Sequence, residues 1–131
     1  MRIYKLNQIV SLINQCKFYN KNSFYILKTP ELLVIINILQ ELNCIHFYKL
    51  VKKSNNLVYY KIFVNIFGNF ELFTLLTNFQ QRFLSAFDIK KLLNSNLRIK
   101  FYFNTKIGVL TGSCAISRNC GGLLLFGIKY F

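Results

Sequence analysis

At 131 residues the chain is one small domain, or two half-size ones sharing a core, and can bury roughly two thirds of its unfolded surface. Seventeen Lys and Arg against four acidic residues give a formal net charge of +13, which disfavours a compact free monomer and favours a polyanionic partner: nucleic acid first, an anionic membrane surface second. The four cysteines, Cys16, Cys44, Cys114 and Cys120, form no Cys-x-x-Cys pair and have no histidine cluster beside them, which argues against zinc and a disulfide scaffold and for buried or half-buried free thiols.

Met1 to Lys17 lacks a long apolar run and a small-residue cleavage site, so neither a secretory signal nor a Ser/Arg-rich transit peptide is expected. Leu6, Ile9, Val10 and Ile13 recur at helical spacing and predict an amphipathic helix. "NKNS" (Asn20 to Ser23) is turn material, and "FYILK" after it reads as a strand. Thr29 then stands as an N-cap, with Pro30 at the first helical position and Glu31 in the first turn. The helix "ELLVIINILQEL" is apolar around most of its circumference, and Asn43 takes the left-handed stop position where glycine is usual.

Cys44 to Lys52 and Leu57 to Ile66 read as two strands of an antiparallel hairpin joined by "KKSNN". The 53% hydrophobic content makes a membrane protein the natural rival here, since Leu57 to Phe79 is long enough to span. That stretch carries Lys61, Asn65, Gly68, Asn69, Glu71 and Asn78, breaks at Gly68-Asn69, and alternates at Val58, Tyr60, Ile62, Val64 and Ile66 as a strand does. Short strands are predicted around Phe70–Leu76 and Arg82–Phe87. Asp88 is then expected to cap a short helix, "IKKLLN", and "LRIKFYFN" reads as a strand. Thr111 caps a second short helix running through Arg118, Asn119 stops it, and "GGLLLFGIKYF" closes the chain as a strand. The predicted class is α+β in two small packed halves. Residues 1–68 form an α-β-α-β-β unit, and residues 69–131 form a half of short strands and short helices.

Catalytic constellations are nearly absent. Glu31, Glu41, Glu71 and Asp88 are spread out, His46 lies inside a predicted strand, and the chain has neither a P-loop nor a Gly-x-Ser-x-Gly elbow. No enzyme activity, cofactor, metal or small-molecule substrate is expected. The basic residues do cluster: Lys49, Lys52 and Lys53 on the hairpin, then Lys90, Lys91, Arg98, Lys100 and Lys106 around the later helix and strand. Aromatics interleave with them in "FYKLVKK" and "RIKFYF", as in sheets on which bases stack. Much of the residue usage (Phe, Ile, Leu, Asn, Lys, Tyr) is what A/T-rich codons supply, but the net charge acts whatever its origin.

The stretch from Asn104 to Gly122, "NTKIGVLTGSCAISRNCGG", sets small polar residues and glycines around one short helix. Asn104, Thr105, Lys106 and Gly108 suit a main chain approaching a sugar-phosphate backbone. Thr111 opens a helix whose positive end favours anions, and Gly121 and Gly122 permit close approach. This stretch resembles the C-terminal pattern of the bacterial-type small-subunit ribosomal protein eight family. That pattern is Ser-Thr-Ser-x-Gly, an apolar pair, Thr, a short helix, Gly-x-Gly-Gly and a last strand. Asn104, Thr105 and Lys106 stand at its hydroxyl triplet, Gly108 at its glycine and Thr111 at its threonine. Asn119, Gly121 and Gly122 stand at its later glycines, with no gap.

Upstream, "PELLVIINILQELNCI" resembles the family's second helix, with Asn43 in place of glycine, and "RFLSAFDIKKLL" its arginine-led strand and short helix. Most of the chain is covered. The chain departs from the family at "LINQ", which keeps only Ile13 of the Arg-Ile-Arg-Asn run, and at "QQ" before Arg82, where Pro-Gly is usual.

The resemblance implies a structural constituent of the small ribosomal subunit. Such a protein binds the central domain of small-subunit rRNA, sits beside neighbouring small-subunit proteins, and organises assembly without stable membrane insertion. The expected rRNA-binding residues are Asn104, Thr105, Lys106, Gly108, Thr111, Gly121 and Gly122, with Lys90, Lys91, Arg82, Lys52 and Lys53. The expected location is the mitochondrial matrix, in the small subunit of the organelle's ribosome, with a plastid-type organelle as second choice. A small membrane-associated basic protein is the alternative class.

Overall fold

The computed structural model describes residues 3–74 and 83–131, so Arg82 and the inner ends of the two strands expected on either side of it lie outside the described residues. The chain is α+β, with four helices and two antiparallel sheets among the described residues. It divides into two compact units, Met1–Asn69 and Phe70–Phe131.

In the first unit the order is α1 (Ile3–Tyr19), β1 (Ser23–Leu27), α2 (Pro30–Glu41), β2 (Ile45–Lys52) and β3 (Val58–Val64). The helical spacing of Leu6, Ile9, Val10 and Ile13 puts these four residues of α1 in the core, and Leu32, Ile35, Ile36 and Leu39 of α2 are buried as well. Each such side chain contributes about 1.5–3 kcal/mol by leaving water. The strands lie in the order β1-β3-β2. Phe24 opposite Ile62 and Ile26 opposite Tyr60 are buried on the sheet face that α1 packs against, and the residues between them point the other way. Leu57 to Thr74 therefore contributes strands, and no helix among the described residues is long and apolar enough to cross a membrane.

Three helices stop in the same way. Asn20, Asn43 and Asn119 have φ of 56°, 63° and 53°, the left-handed conformation that asparagine tolerates best after glycine. The following amides, Lys21, Cys44 and Cys120, donate back to the Cys16, Leu39 and Ala115 carbonyls at 2.9 Å, closing the last turn. The stops at Asn43 and Asn119 match expectation; the one at Asn20 sits in what reads from sequence as plain turn material. Thr29 occupies the N-cap of α2 with extended backbone, but its side chain makes no capping bond and its buried hydroxyl has no hydrogen-bond partner. The Leu32 amide, one of the donors a capping hydroxyl would reach, closes on the Thr29 carbonyl at 3.3 Å instead.

In the second unit β4 (Phe70–Phe73), β8 (Gly122–Tyr130), β6 (Ile99–Thr105) and β7 (Gly108–Thr111) lie side by side, and β5 (Phe83–Leu84) pairs with the start of β8. Helices α3 (Ala86–Ser95) and α4 (Gly112–Ser117) bring Ile89 and Ala115 onto Leu84, Phe101 and Phe103. The cap of α3 is Ser85, not Asp88: the Ser85 hydroxyl accepts from the Asp88 amide at 3.2 Å, which ends β5 early and leaves Asp88 inside the first turn. β7 is an addition to the predicted elements, folding back on β6 where the sequence reads as loop.

Cys16 and Cys44 are buried, as expected. Burial pushes the Cys44 thiol up to about 12 against the opposing charge of Lys17, so it stays protonated and inert. Cys120 is half-buried. Cys114 is exposed, because Gly112 and Ala115 take the inward positions of the six-residue α4.

Candidate nucleic-acid interface

The tip of the β6–β7 hairpin is built on two residues, Lys106 and Ile107, with Thr105 paired to Gly108. Gly108 has φ +121°, where a side chain is strained although nothing would crowd it. The Thr105 hydroxyl donates to the Gly108 carbonyl at 2.7 Å and accepts from the Ile107 amide at 3.3 Å. Its proton is directed into the turn, leaving one lone pair for any outside donor. Lys106 and Ile107 are exposed at the tip, and Asn104 is half-buried between Val109 of β7 and Leu123 of β8. Replacing Thr105 with alanine is expected to lower stability by about 1 kcal/mol, with serine retaining most of it. Urea unfolding of the two variants checks this; an unchanged midpoint for alanine would remove the clasp.

Gly122 lies against the same hairpin. A Cβ there would stand 2.8 Å from the Asn104 carbonyl oxygen and 2.9 Å from Thr105 Cγ2, and one at Gly121 would stand 2.6 Å from the Leu84 oxygen. The backbones that come close at this glycine pair are the chain's own strands β6 and β5. Asn104, Thr105, Lys106, Gly108 and Gly122 are thus brought together. Thr111 is at the opposite end of β7, where its hydroxyl accepts from the Cys114 amide at 3.3 Å and so satisfies one donor of α4's first turn. Gly112, the next residue, is covered by Leu93 of α3.

The remaining expected contacts are distributed. Lys90 and Lys91 are exposed on α3, with the Lys91 ammonium 4.6 Å from the Phe87 ring centre. Lys52 and Lys53 are both exposed in the first unit, but strand alternation turns Lys52 to the opposite face from Lys49. The Lys53 ammonium instead reaches across the sheet to within 4.2 Å of the Tyr25 ring centre and 4.5 Å of Tyr59. Basic residues outside the expected set also face solvent or a ring. Arg118 is exposed at the end of α4, and Lys61 of β3 sits among aromatic rings. Lys61 was detectable as the charged member of the outward series Tyr59, Lys61, Phe63, complementary to the inward series already visible in the alternation. Among the described residues no group of His, Cys, Asp or Glu is placed to hold a metal ion.

No protein-family model and no curated protein matches this chain.

Proposed function

We propose that the protein is a non-enzymatic, structural constituent of the small subunit of an organellar ribosome, of the bacterial-type ribosomal protein eight family. In this reading it binds the central domain of small-subunit rRNA beside neighbouring ribosomal proteins and works in the mitochondrial matrix. The observation that carries the reading is electrostatic. Lys49, Lys52 and Lys53 of one unit and Lys90, Lys91, Lys100 and Lys106 of the other are all exposed, against four acidic residues in the whole chain. So many exposed cations without counter-charge suit a phosphate backbone. The order of hairpin, Thr111-capped helix, glycine pair and last strand supports the family resemblance.

At the interface itself, Lys106 supplies charge at the hairpin tip, Asn104 and the free lone pair of Thr105 supply short-range polar contact, and Gly108 keeps the turn tight. Gly121 and Gly122 serve this arrangement by letting β5, β6 and β8 close up behind it.

Sedimentation of organelle lysate through a magnesium-containing gradient tests the assignment. The protein is expected in the small-subunit fraction, released to the top by ribonuclease. Recovery in a salt-washed membrane pellet, or at the top without ribonuclease, would refute it.

A further inference from the structure

The face of the first unit's sheet turned away from its buried side is not filled with the polar residues that a solvated face normally carries. Across it run Tyr25 of β1, opposite Lys61 of β3, opposite Lys49 of β2. One step along, Phe63 stands opposite Phe47, the two rings stacked at 4.4 Å with 23° between their planes. One step the other way is Tyr59. Successive same-face residues on a strand are about 7 Å apart. The cations Lys61 and Lys49, with Tyr25 at the end of their row, therefore lie between Tyr59 and the Phe47–Phe63 pair, and Tyr25 and Tyr59 form one cluster about the Lys53 ammonium.

Phe47 reaches this face because the ladder slips between Ile45 and Phe47. Ile45 pairs with Val64 and Phe47 with Phe63, and the extra residue, His46, sends Phe47 outward while Ile45 stays buried. Tyr25 is 43% and Phe47 50% exposed. The lysines rest on rings: Lys49 is 5.3 Å from the Phe63 centre, and Lys61 is 5.2 Å from Phe63 and 5.5 Å from Tyr25. None of the four acidic residues lies in these three strands, and the ring faces meet those cations with opposite polarity.

We propose that this face is a stacking platform for single-stranded RNA: a base on each aromatic cluster, with the linking phosphates on Lys49, Lys53 and Lys61. Alternation of ring and cation across the sheet matches alternation of base and phosphate along a strand. A duplex hides its base faces and cannot use the rings. An acidic protein segment would neutralise the lysines and leave the rings uncovered. The platform is sequence-tolerant, because every base has a π-face. It is a separate surface from the β6–β7 tip and stands whether or not the chain is ribosomal.

The test measures binding of the full chain to a fluorescent oligoadenylate single strand, to a duplex of the same length, and to an oligoglutamate competitor. Tyr25→Leu and Phe47→Leu are each expected to weaken single-strand binding on the order of tenfold and to leave duplex binding unchanged. Phe47→Tyr should retain binding, and Lys61→Met should lower the salt slope by about 0.7. Equal single-strand affinity in the two leucine variants overturns the proposal. So does equal loss for strand and duplex, or a ring-dependent preference for oligoglutamate. Because Phe47→Tyr keeps the ring, its binding reads the face even if a leucine variant fails to fold. Lysate sedimentation failing while oligoadenylate binds through the rings would refute the ribosomal reading alone.

Discussion

Replacing Gly122 with alanine is expected to destabilise the chain by about 1–3 kcal/mol, and replacing it with valine by more. The reason is steric and sits in the backbone. The new Cβ would meet the Asn104 carbonyl oxygen at 2.8 Å, closer than real Cβ atoms come, and that oxygen belongs to a strand hydrogen-bonded on both sides. Neither β6 nor β8 can move without opening its ladder. Gly108→Ala is the informative control, since nothing lies within 4 Å and only the φ of +121° resists the change. Its damage should stay local to the hairpin, whereas Gly122→Ala should shift global unfolding. Denaturant melts followed by far-UV circular dichroism separate the two. A wild-type midpoint for Gly122→Val would show that β8 does not lie against β6 as described.

Binding to a small-subunit rRNA fragment is expected to weaken about a thousandfold between about 50 and 200 mM salt. Seven exposed lysines are named above in the two units, and each neutralised phosphate contributes a log–log slope of roughly 0.7–0.9. A fourfold rise in salt then multiplies to about three decades. Removing one contact with Lys106→Ala should lower the slope by about one unit. The same salt should stabilise the free chain, because screening relieves the self-repulsion of a +13 molecule. Affinity and free-chain stability must therefore move in opposite directions as salt rises. A slope near zero would sink the electrostatic account.

Helices were the most legible part of this fold. Leu6, Ile9, Val10 and Ile13 announce α1 because a 3.6-residue period has no competing explanation, and all four are buried. Asparagine before a new apolar run marked two helix ends because few other residues accept φ near 60°. The cap of α3 is ambiguous in the sequence, since Ser85 and Asp88 both suit an N-terminus and only the hydroxyl's reach to the Asp88 amide decides between them.

Strand β7 is illegible in the sequence for a different reason. Gly108–Thr111 is too short for periodicity, and its existence depends on register with β6. Of the candidate site, the hairpin residues were legible as a group, but their division of labour was not. Whether Thr105 and Gly122 face a ligand or their own neighbours depends on contacts between residues far apart in sequence. The His46 bulge has no sequence mark at all, and without it Phe47 would read as an inward residue beside Ile45.

Among the described residues β2 has a neighbour on one side only, since the sheet order places β3 between it and β1. An edge of this kind, with Phe47 and Leu50 half exposed, is a template on which a second copy of the chain could add a strand. Two features already described oppose that. The extra residue at His46 interrupts the ladder, and Lys49 and Lys52, exposed on opposite faces of β2, set like charges against any identical strand. The cations offered to phosphate thus also keep unbound chains apart, a protection strongest at low ionic strength and weakest where salt has screened it.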